Sequence, residues 1–212
     1  MYLSQLILNP RCRQVQQELS NRYELHRTLM SAFPAQLPEN ERLLYRLEIG
    51  DSGSRITVLA QSRTAPDWAA LDRPQREPYF AVPPQVKSFE PVFTPGRLLI
   101  FRLLANPTVA KHCDGKKRGQ RTAIYDEAGQ IAWLERKAGR HGFTIADLRV
   151  TSQGMLRGYQ SQEGKRALIQ LLAVQFDGLL RVEDPVLFSK SLCSGLGSGK
   201  GFGLGLISVA PA

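Results

Sequence analysis

The chain ends in a glycine repeat that leads into an apolar segment, GLGSGKGFGLGLISV at residues 195–209. Glycine occupies every second position from Gly195 to Gly205, so one third of the chain's 18 glycines lie in this short stretch. Such a run is costly to order, because glycine loses more backbone entropy on folding than any other residue. The apolar residues that follow are typical of a buried strand rather than of a flexible linker. The sequence therefore predicts an ordered glycine loop, residues 195–205, that feeds a final strand.

The glycine loop matches neither of the two common nucleotide-binding motifs. A P-loop needs Gly at position 194 and Ser or Thr at position 201, but the chain has Ser194 and Gly201. The dinucleotide motif GxGxxG fails from every starting glycine. Free backbone amides and the ammonium of Lys200 would still suit the phosphate oxygens of a polymer. A plain glycine-rich turn between a helix and a strand is the open alternative.

The composition favours a polyanionic partner. The 212 residues include 28 Lys and Arg against 19 Asp and Glu, a formal net charge of +9. This excess points to nucleic acid first and to an acidic membrane surface second, with an ordinary basic protein as the open alternative. No apolar run approaches the roughly 18 residues of a membrane-spanning helix, and the first residues lack the charged segment of a signal peptide. We therefore expect no membrane partner and a cytoplasmic location.

The cysteines and two of the histidines suggest no metal site. Cys12, Cys113 and Cys193 are far apart and form no CxxC pair, which argues against a zinc site and against a disulfide framework. His112 and His141 lie among basic residues of predicted loops, where solvated side chains are expected. The sequence thus predicts a protein with neither metal nor cofactor.

Hydrophobic periodicity divides the first half into a β-α-β-β-α-β order. The predicted elements are a strand at 2–8, a helix at 13–33, strands at 43–49 and 55–60, a short helix at 66–71, and a partly extended segment at 83–93. This is the order of a ferredoxin-like or RNA-recognition-motif domain. Pro95-Gly96 is a plausible hinge, so we expect one domain at 1–94 and a second at 95–212.

The second half repeats the same order, with an extra hairpin. The predicted elements are a strand at 97–105, a basic loop at 111–121, a helix at 126–138, a hairpin of 148–159 with 165–174, a strand at 176–182, a short helix capped by Asp184, and the final strand. The predicted fold class is therefore α+β, with two tandem ferredoxin-like (RNA-recognition-motif-like) βαββαβ domains.

The third histidine, His26, lies beside the buried stripe of the first predicted helix. Leu25 and Leu29 mark that stripe, and Tyr23 falls on the same flank as His26 because it lies three residues earlier. Periodicity alone favours a boundary histidine that packs against the sheet. RNA chemistry provides an alternative, because the 2′-hydroxyl of RNA is its own nucleophile and cleavage needs a proton carrier rather than a metal. Histidine can act as base or acid near neutral pH, Tyr23 can orient the nucleophile, and Lys200 can stabilise the charged phosphorane.

Five segments spread along the chain resemble one family. They are MYLS at 1–4, YELH at 23–26 followed by Phe33-Pro34, FRLLANP at 101–107, QIAWLERK at 130–137, and the tail from Gly195 to Pro211. In order and spacing they are similar to the CRISPR RNA-processing endoribonuclease of the type I-E system, the Cascade subunit that cuts the repeat hairpin.

The resemblance implies two ferredoxin-like domains and metal-independent cleavage on the 3′ side of a stem-loop. The products would be a 5′-hydroxyl and a 2′,3′-cyclic phosphate or its opened form. It also implies that His26 is the catalytic histidine and that Tyr23 matches a tyrosine that assists in some members. The protein would stay bound to its RNA hairpin and join the other subunits of the Cascade surveillance complex.

The basic hairpin around Arg157 and Lys165 matches the region that enters the RNA groove in this family. The candidate RNA-binding residues are Lys116, Lys117, Arg118, Arg121, Arg149, Arg157, Lys165, Arg166, Gly199, Lys200 and Gly201. Two alternatives stay open. The first is a non-catalytic RNA-binding subunit on the same tandem fold, with a structural His26, and the second is a basic assembly subunit of a ribonucleoprotein.

Overall fold

The computed structural model describes residues 1–39, 41–50, 53–72, 77–111, 120–162 and 165–212. The first half contains β1 (Tyr2–Leu8), α1 (Arg13–Ser20), α2 (Arg22–Met30), β2 (Leu44–Ile49), β3 (Ile56–Ser62) and β4 (Gln85–Ser88). The second half contains β5 (Leu98–Ala105), β6 (Thr108–Lys111), β7 (Gln120–Ala123), α3 (Glu127–Arg140), β8 (Phe143–Gln162), β9 (Lys165–Val182), α4 (Pro185–Ser194) and β10 (Ile207–Pro211).

The first four strands form an antiparallel sheet in the order β2-β3-β1-β4. Leu6 and Leu8 of β1 pack with Leu25 and Leu29 of α2 in one buried core. The short helix predicted at 66–71 is wrong in type, because only a 3-10 turn forms at Trp68–Leu71. The indole of Trp68 donates to Ser4 Oγ (2.9 Å). This buried tryptophan anchors the turn to β1, whereas the turn is too short to be stabilised by its own helical hydrogen bonds.

The single helix predicted at 13–33 is also wrong, because the chain breaks into α1 and α2 at Asn21. Asn21 has φ −131° and ψ 89°, and its side-chain oxygen accepts the backbone N–H of Tyr159 in β8 (3.0 Å). The buried carboxylate of Glu18 then ties the two helices together, because it accepts hydrogen bonds from Gln14 in α1 and Thr28 in α2. Asparagine competes well for such non-helical positions, so a tertiary contact interrupts a locally helical pattern.

The second sheet repeats the topology of the first, in the antiparallel order β10-β5-β9-β8. The tandem ferredoxin-like fold expected from the sequence is thereby confirmed. The separate strand predicted at 176–182 is wrong, because it continues the hairpin partner that begins at Lys165. The segment predicted as a basic loop at 111–121 includes two paired strand ends, with Lys111 opposite Gln120. Residues 112–119 lie outside the described part of the chain.

Polar contacts join the two halves of the chain. The buried guanidinium of Arg46 on β2 donates to Ser208 Oγ on β10 (2.9 Å). Gln61 Nε2 on β3 donates to the carbonyl of Leu192 in α4 (2.7 Å). The division at residues 94 and 95 stays a prediction. No helix in the described residues has both the length and the apolar composition needed to cross a bilayer.

Candidate active site

The glycine loop closes with a 3-10 turn at Lys200–Phe202, called the glycine turn below. Gly199 and Gly203 flank it with φ of +85° and +79°, in the left-handed region that disfavours other residues. A Cβ on Gly203 would lie only 2.9 Å from Tyr45 Cε2, so the backbone approaches the first sheet more closely than a side chain permits. The glycine loop predicted from the sequence is therefore ordered.

Helix α2 carries His26 to the glycine turn. Leu25 and Leu29 are fully buried against the first sheet, which leaves His26 on the half-buried flank of the helix. A Cβ on Gly201 would lie 3.3 Å from His26 Cδ2, so this glycine lets the backbone pass against the imidazole. Residues 175 positions apart in the sequence thus form one surface.

The imidazole of His26 has no hydrogen-bond partner within the described residues. Its Nδ1 atom is buried and unpaired, so only the other ring nitrogen, Nε2, is left to meet a substrate. Burial lowers the pKa of His26 below its ordinary value, because desolvation penalises the imidazolium. The neutral imidazole is therefore the main form at neutral pH.

Tyr23 links this histidine to the hairpin of β8 and β9. Its ring centroid lies 6.4 Å from that of His26 and 6.2 Å from that of Phe202. Gln160 Nε2 on β8 donates to the Tyr23 hydroxyl (3.2 Å). Because that hydroxyl accepts from the amide, its own proton stays free for another acceptor. Helix α2, the glycine turn and the hairpin therefore meet at one point.

Two further contacts were not expected from the sequence. Tyr45 is fully buried, and its single hydroxyl proton is shared between the carbonyls of Arg22 (3.2 Å) and Gly201 (3.1 Å). Gly158 of β8 packs on the glycine turn so closely that a Cβ there would lie 2.6 Å from Phe202 Cε1. The only sequence signals were an aromatic residue and a glycine inside predicted strands, which is too weak to identify either contact.

The described hairpin cations lie on one exposed strand. Arg149 lies opposite Asp177 of β9. Arg157 precedes Gly158, and because successive strand residues point to opposite faces, its exposed side chain points away from the face that meets the glycine turn. Arg121 is exposed on β7. The structure places Lys165 and Arg166 in β9 by their backbone alone. Lys116, Lys117 and Arg118 lie outside the described residues.

Within the described ranges, no three or more His, Cys, Asp or Glu side chains lie together in a way that could hold a metal ion. The cysteines in that part of the chain, Cys12 and Cys193, are free thiols. His141 is not the solvated residue expected from the sequence, because its Nδ1 lies 2.7 Å from Ser191 Oγ.

Comparison with known proteins agrees with this architecture. A family model described as CRISPR associated protein matches residues 1–211. The chain is 40% identical to the CRISPR-associated endoribonuclease Cse3 of Thermus thermophilus and 31% identical to the CRISPR system Cascade subunit CasE of Escherichia coli, and all of each sequence is covered. A structure of Cse3 bound to a 19-nucleotide RNA superposes with a TM-score of 0.85 at 39% identity, over the full length of both chains.

These matches confirm the family resemblance seen in the sequence. They cover both sheets and the glycine loop, so they do not rest on one shared motif. The chain therefore belongs to the family of CRISPR-associated proteins that includes Cse3 and CasE.

Proposed function

We propose that this protein is an endoribonuclease that cuts the repeat stem-loop of CRISPR precursor RNA and stays bound to the product with the other Cascade subunits. The observation that carries the proposal is the position of His26, an unpaired half-buried imidazole where α2, the glycine turn and the hairpin meet. The names of the relatives support it, since Cse3 is called an endoribonuclease and its structure contains RNA.

His26 acts as the proton carrier of the reaction. Its lowered pKa keeps the imidazole neutral near pH 7, so Nε2 can take the proton of the 2′-hydroxyl. The 2′-oxygen then attacks phosphorus, and the bond from phosphorus to the 5′-oxygen breaks. The imidazolium returns its proton to that departing oxygen, so protons balance with one histidine. RNA supplies the nucleophile, and for this reason we propose that no metal is needed.

Tyr23 and the glycine turn stabilise the phosphorane. The Tyr23 hydroxyl accepts from Gln160 and directs its own proton to a phosphoryl oxygen. Lys200 begins the glycine turn, and its ammonium donates to the carbonyl of Gly197 (2.8 Å); we propose that it adds positive potential for the phosphorane from this position. Charge placed in a partly desolvated site acts more strongly than the same charge in water.

The hairpin of β8 and β9 holds the stem. Arg149 and Arg157 are exposed along β8. Positive side chains on an extended hairpin suit the phosphates that line an RNA groove. Arg121, Lys165, Arg166, Gly199 and the cations at 116–118 remain proposed RNA contacts of the same kind.

One experiment tests the reaction directly. Purified protein is incubated with an end-labelled repeat hairpin in excess EDTA, and both product ends are mapped. We expect an unchanged rate, a 5′-hydroxyl on one fragment, and a 2′,3′-cyclic phosphate on the other. Loss of cleavage in EDTA that magnesium restores would contradict the mechanism. Tight binding without any cleavage would favour the non-catalytic RNA-binding subunit.

A further inference from the structure

A second group of cations lies beside the glycine turn, apart from the hairpin. We call it the α3 patch, and it consists of Arg42, Lys137, Arg140 and Lys200. Lys137 and Arg140 lie in the last turn of α3, Lys200 begins the glycine turn, and Arg42 precedes β2. These three elements come from both halves of the chain.

Trp133 of α3 holds two of these cations close together. The ammonium of Lys137 lies 6.0 Å from the centroid of the indole ring. A Cβ on Gly197 would lie 3.3 Å from the same ring, so the glycine loop packs on the other atoms of the indole. Lys200 Nζ then donates to the carbonyl of Gly197 (2.8 Å). One ammonium therefore lies over the indole, and the other is held by a carbonyl of the loop that packs on the same ring.

The charges of the α3 patch repel one another. Burial first, and then Arg42 and Lys137, lower the pKa of Lys200. Burial first, and then Lys137, Lys200 and Arg140, lower the pKa of His141. In the described part of the chain, none of the four patch cations forms an ion pair with a carboxylate. A bound polyanion would relieve this repulsion.

The α3 patch is continuous with the candidate active site. Lys200 is followed by Gly201, which packs on His26, and by Phe202, which packs on Gly158 of the hairpin. The glycine turn therefore contacts the hairpin through Phe202 and the imidazole through Gly201, and it contributes Lys200 to the patch. These three places lie in that order along the turn. With the stem on the hairpin and the cut at His26, as proposed above, the path along the turn leads the strand beyond the cut toward the patch.

We propose that the α3 patch binds the sugar-phosphate backbone of the single-stranded RNA on the 3′ side of the cleaved bond. The proposal rests on the function proposed above, because it needs the stem on β8 and β9 and the cut at His26. Positive side chains near the glycine turn suit an unpaired strand, since the recognition needs phosphates and no particular base.

The test compares two RNAs that cannot be cut because the nucleotide at the cleavage site is 2′-deoxy. One is the repeat hairpin, and the other is the same hairpin with about eight uridines added at its 3′ end. Affinity is measured by fluorescence anisotropy across a range of KCl concentrations. The variant is Lys137→Gln with Arg140→Gln, and the charge-matched control is Arg11→Gln with Lys87→Gln, two exposed cations that lie just before α1 and on β4.

We expect the wild-type protein to bind the extended RNA more tightly than the bare hairpin. The patch variant should lose that gain, and its slope of log affinity against log salt should fall by roughly 1.4, which is two phosphate contacts at roughly 0.7 each for a single strand. Its affinity for the bare hairpin should equal that of the control. Arg140→Gln alone should lower the slope by about half as much as the double variant. Because Arg140 is exposed, this single variant replaces the double variant in the test if the double variant unfolds.

Three results would overturn the proposal. The first is that the extension adds no affinity in the wild-type protein. The second is that the patch variant and the control bind the extended RNA equally well. The third is that the patch variant loses affinity for both RNAs equally. A failure of the proposed cleavage function can be told apart from a failure of the patch proposal. In the former case the wild-type protein would leave the all-ribose hairpin uncut, while the 3′ extension would still strengthen binding.

Discussion

The ring of Tyr45 lies parallel to the imidazole of His26, with centroids 6.0 Å apart and planes 10° apart. The hydroxyl of the same tyrosine is shared between the carbonyls of Arg22 and Gly201. The buried side chain of Tyr45 therefore packs against the imidazole of His26 and also ties the start of α2 to the glycine turn. The position of the imidazole depends on this contact between β2 and two distant segments.

Tyr45→Phe should slow cleavage without weakening RNA binding. Phenylalanine keeps the parallel ring and removes the bond that joins Arg22 to Gly201, so the imidazole loses orientation but not its support. We expect the single-turnover rate at saturating enzyme to fall roughly tenfold, which corresponds to about 1.4 kcal/mol of barrier. The hairpin dissociation constant should stay within a factor of about two.

Tyr79→Phe is the matched control, because Tyr79 is also buried and donates to Glu18 rather than to the glycine turn. The loss of a buried hydrogen bond costs roughly 0.5–1.5 kcal/mol, and more when the acceptor is charged. The control should therefore unfold at least as readily as Tyr45→Phe, measured by thermal melting, yet cleave at the wild-type rate. Equal slowing in both variants would show that Tyr45 acts only through stability.

His26→Ala should separate the enzyme from a binding module. Removal of a general acid or base reduces rates by roughly 10²–10⁴, and one imidazole adds little to a phosphate-dominated interface. We expect that loss in single-turnover cleavage, with hairpin affinity almost unchanged. His141→Ala removes another partly buried histidine, which is bonded to Ser191, and should leave the rate intact. A well-folded His26→Ala protein that cleaves normally would remove this residue from the mechanism.

The pH dependence of cleavage should follow the free imidazole. Burial lowers the pKa of His26 from its ordinary value of 6.5, and a base works only when deprotonated. At subsaturating RNA, kcat/KM should therefore rise with pH through a midpoint below 6.5 and stay level above it. The same shift means that the stability contributed by the neutral imidazole is full above 6.5 and falls as pH drops toward the folded pKa. A rate that declines between neutral and mildly alkaline pH would assign His26 the acid role instead.

Gly201→Ala should disturb the imidazole locally. The new Cβ would lie 3.3 Å from His26 Cδ2, which is tighter than an ordinary contact, so the ring must shift by a few tenths of an ångström. We expect a cleavage rate lower by roughly tenfold, because small misplacements of a reacting group cost rate. Gly139→Ala in α3 is the control, since no heavy atom would lie within 4 Å of its Cβ. A normal rate for Gly201→Ala would contradict the close fit between the turn and the histidine.

The order of elements was predictable because its signals are local. Alternation of apolar residues predicted β1, β2, β3 and β5. Asp184 before Pro185 predicted the start of α4, and in the structure the first amides of α4 donate to that aspartate. The errors arose where a distant contact overrides a local pattern. Asn21 breaks a helical stretch to bind Tyr159, and Gln175 stays in β9 because it pairs with Thr151 on β8.

The site shows the same division between local and distant information. Helical spacing alone put Tyr23 and His26 on one flank of α2, and the glycine repeat alone predicted an ordered loop. Their meeting, the support from Tyr45 and the bond from Gln160 to Tyr23 join segments far apart in the chain. The catalytic roles themselves stay predictions.

By itself the sequence determined the two repeated βαββαβ halves, the basic character, the family resemblance and the candidate histidine. Only the tertiary structure decided that the glycine turn lies against His26, that Tyr45 contacts both, and that Arg42 and Lys137 lie near Lys200. The physical reason is that periodicity reports which face of an element is buried, whereas the choice of the element that covers it depends on packing across the whole chain.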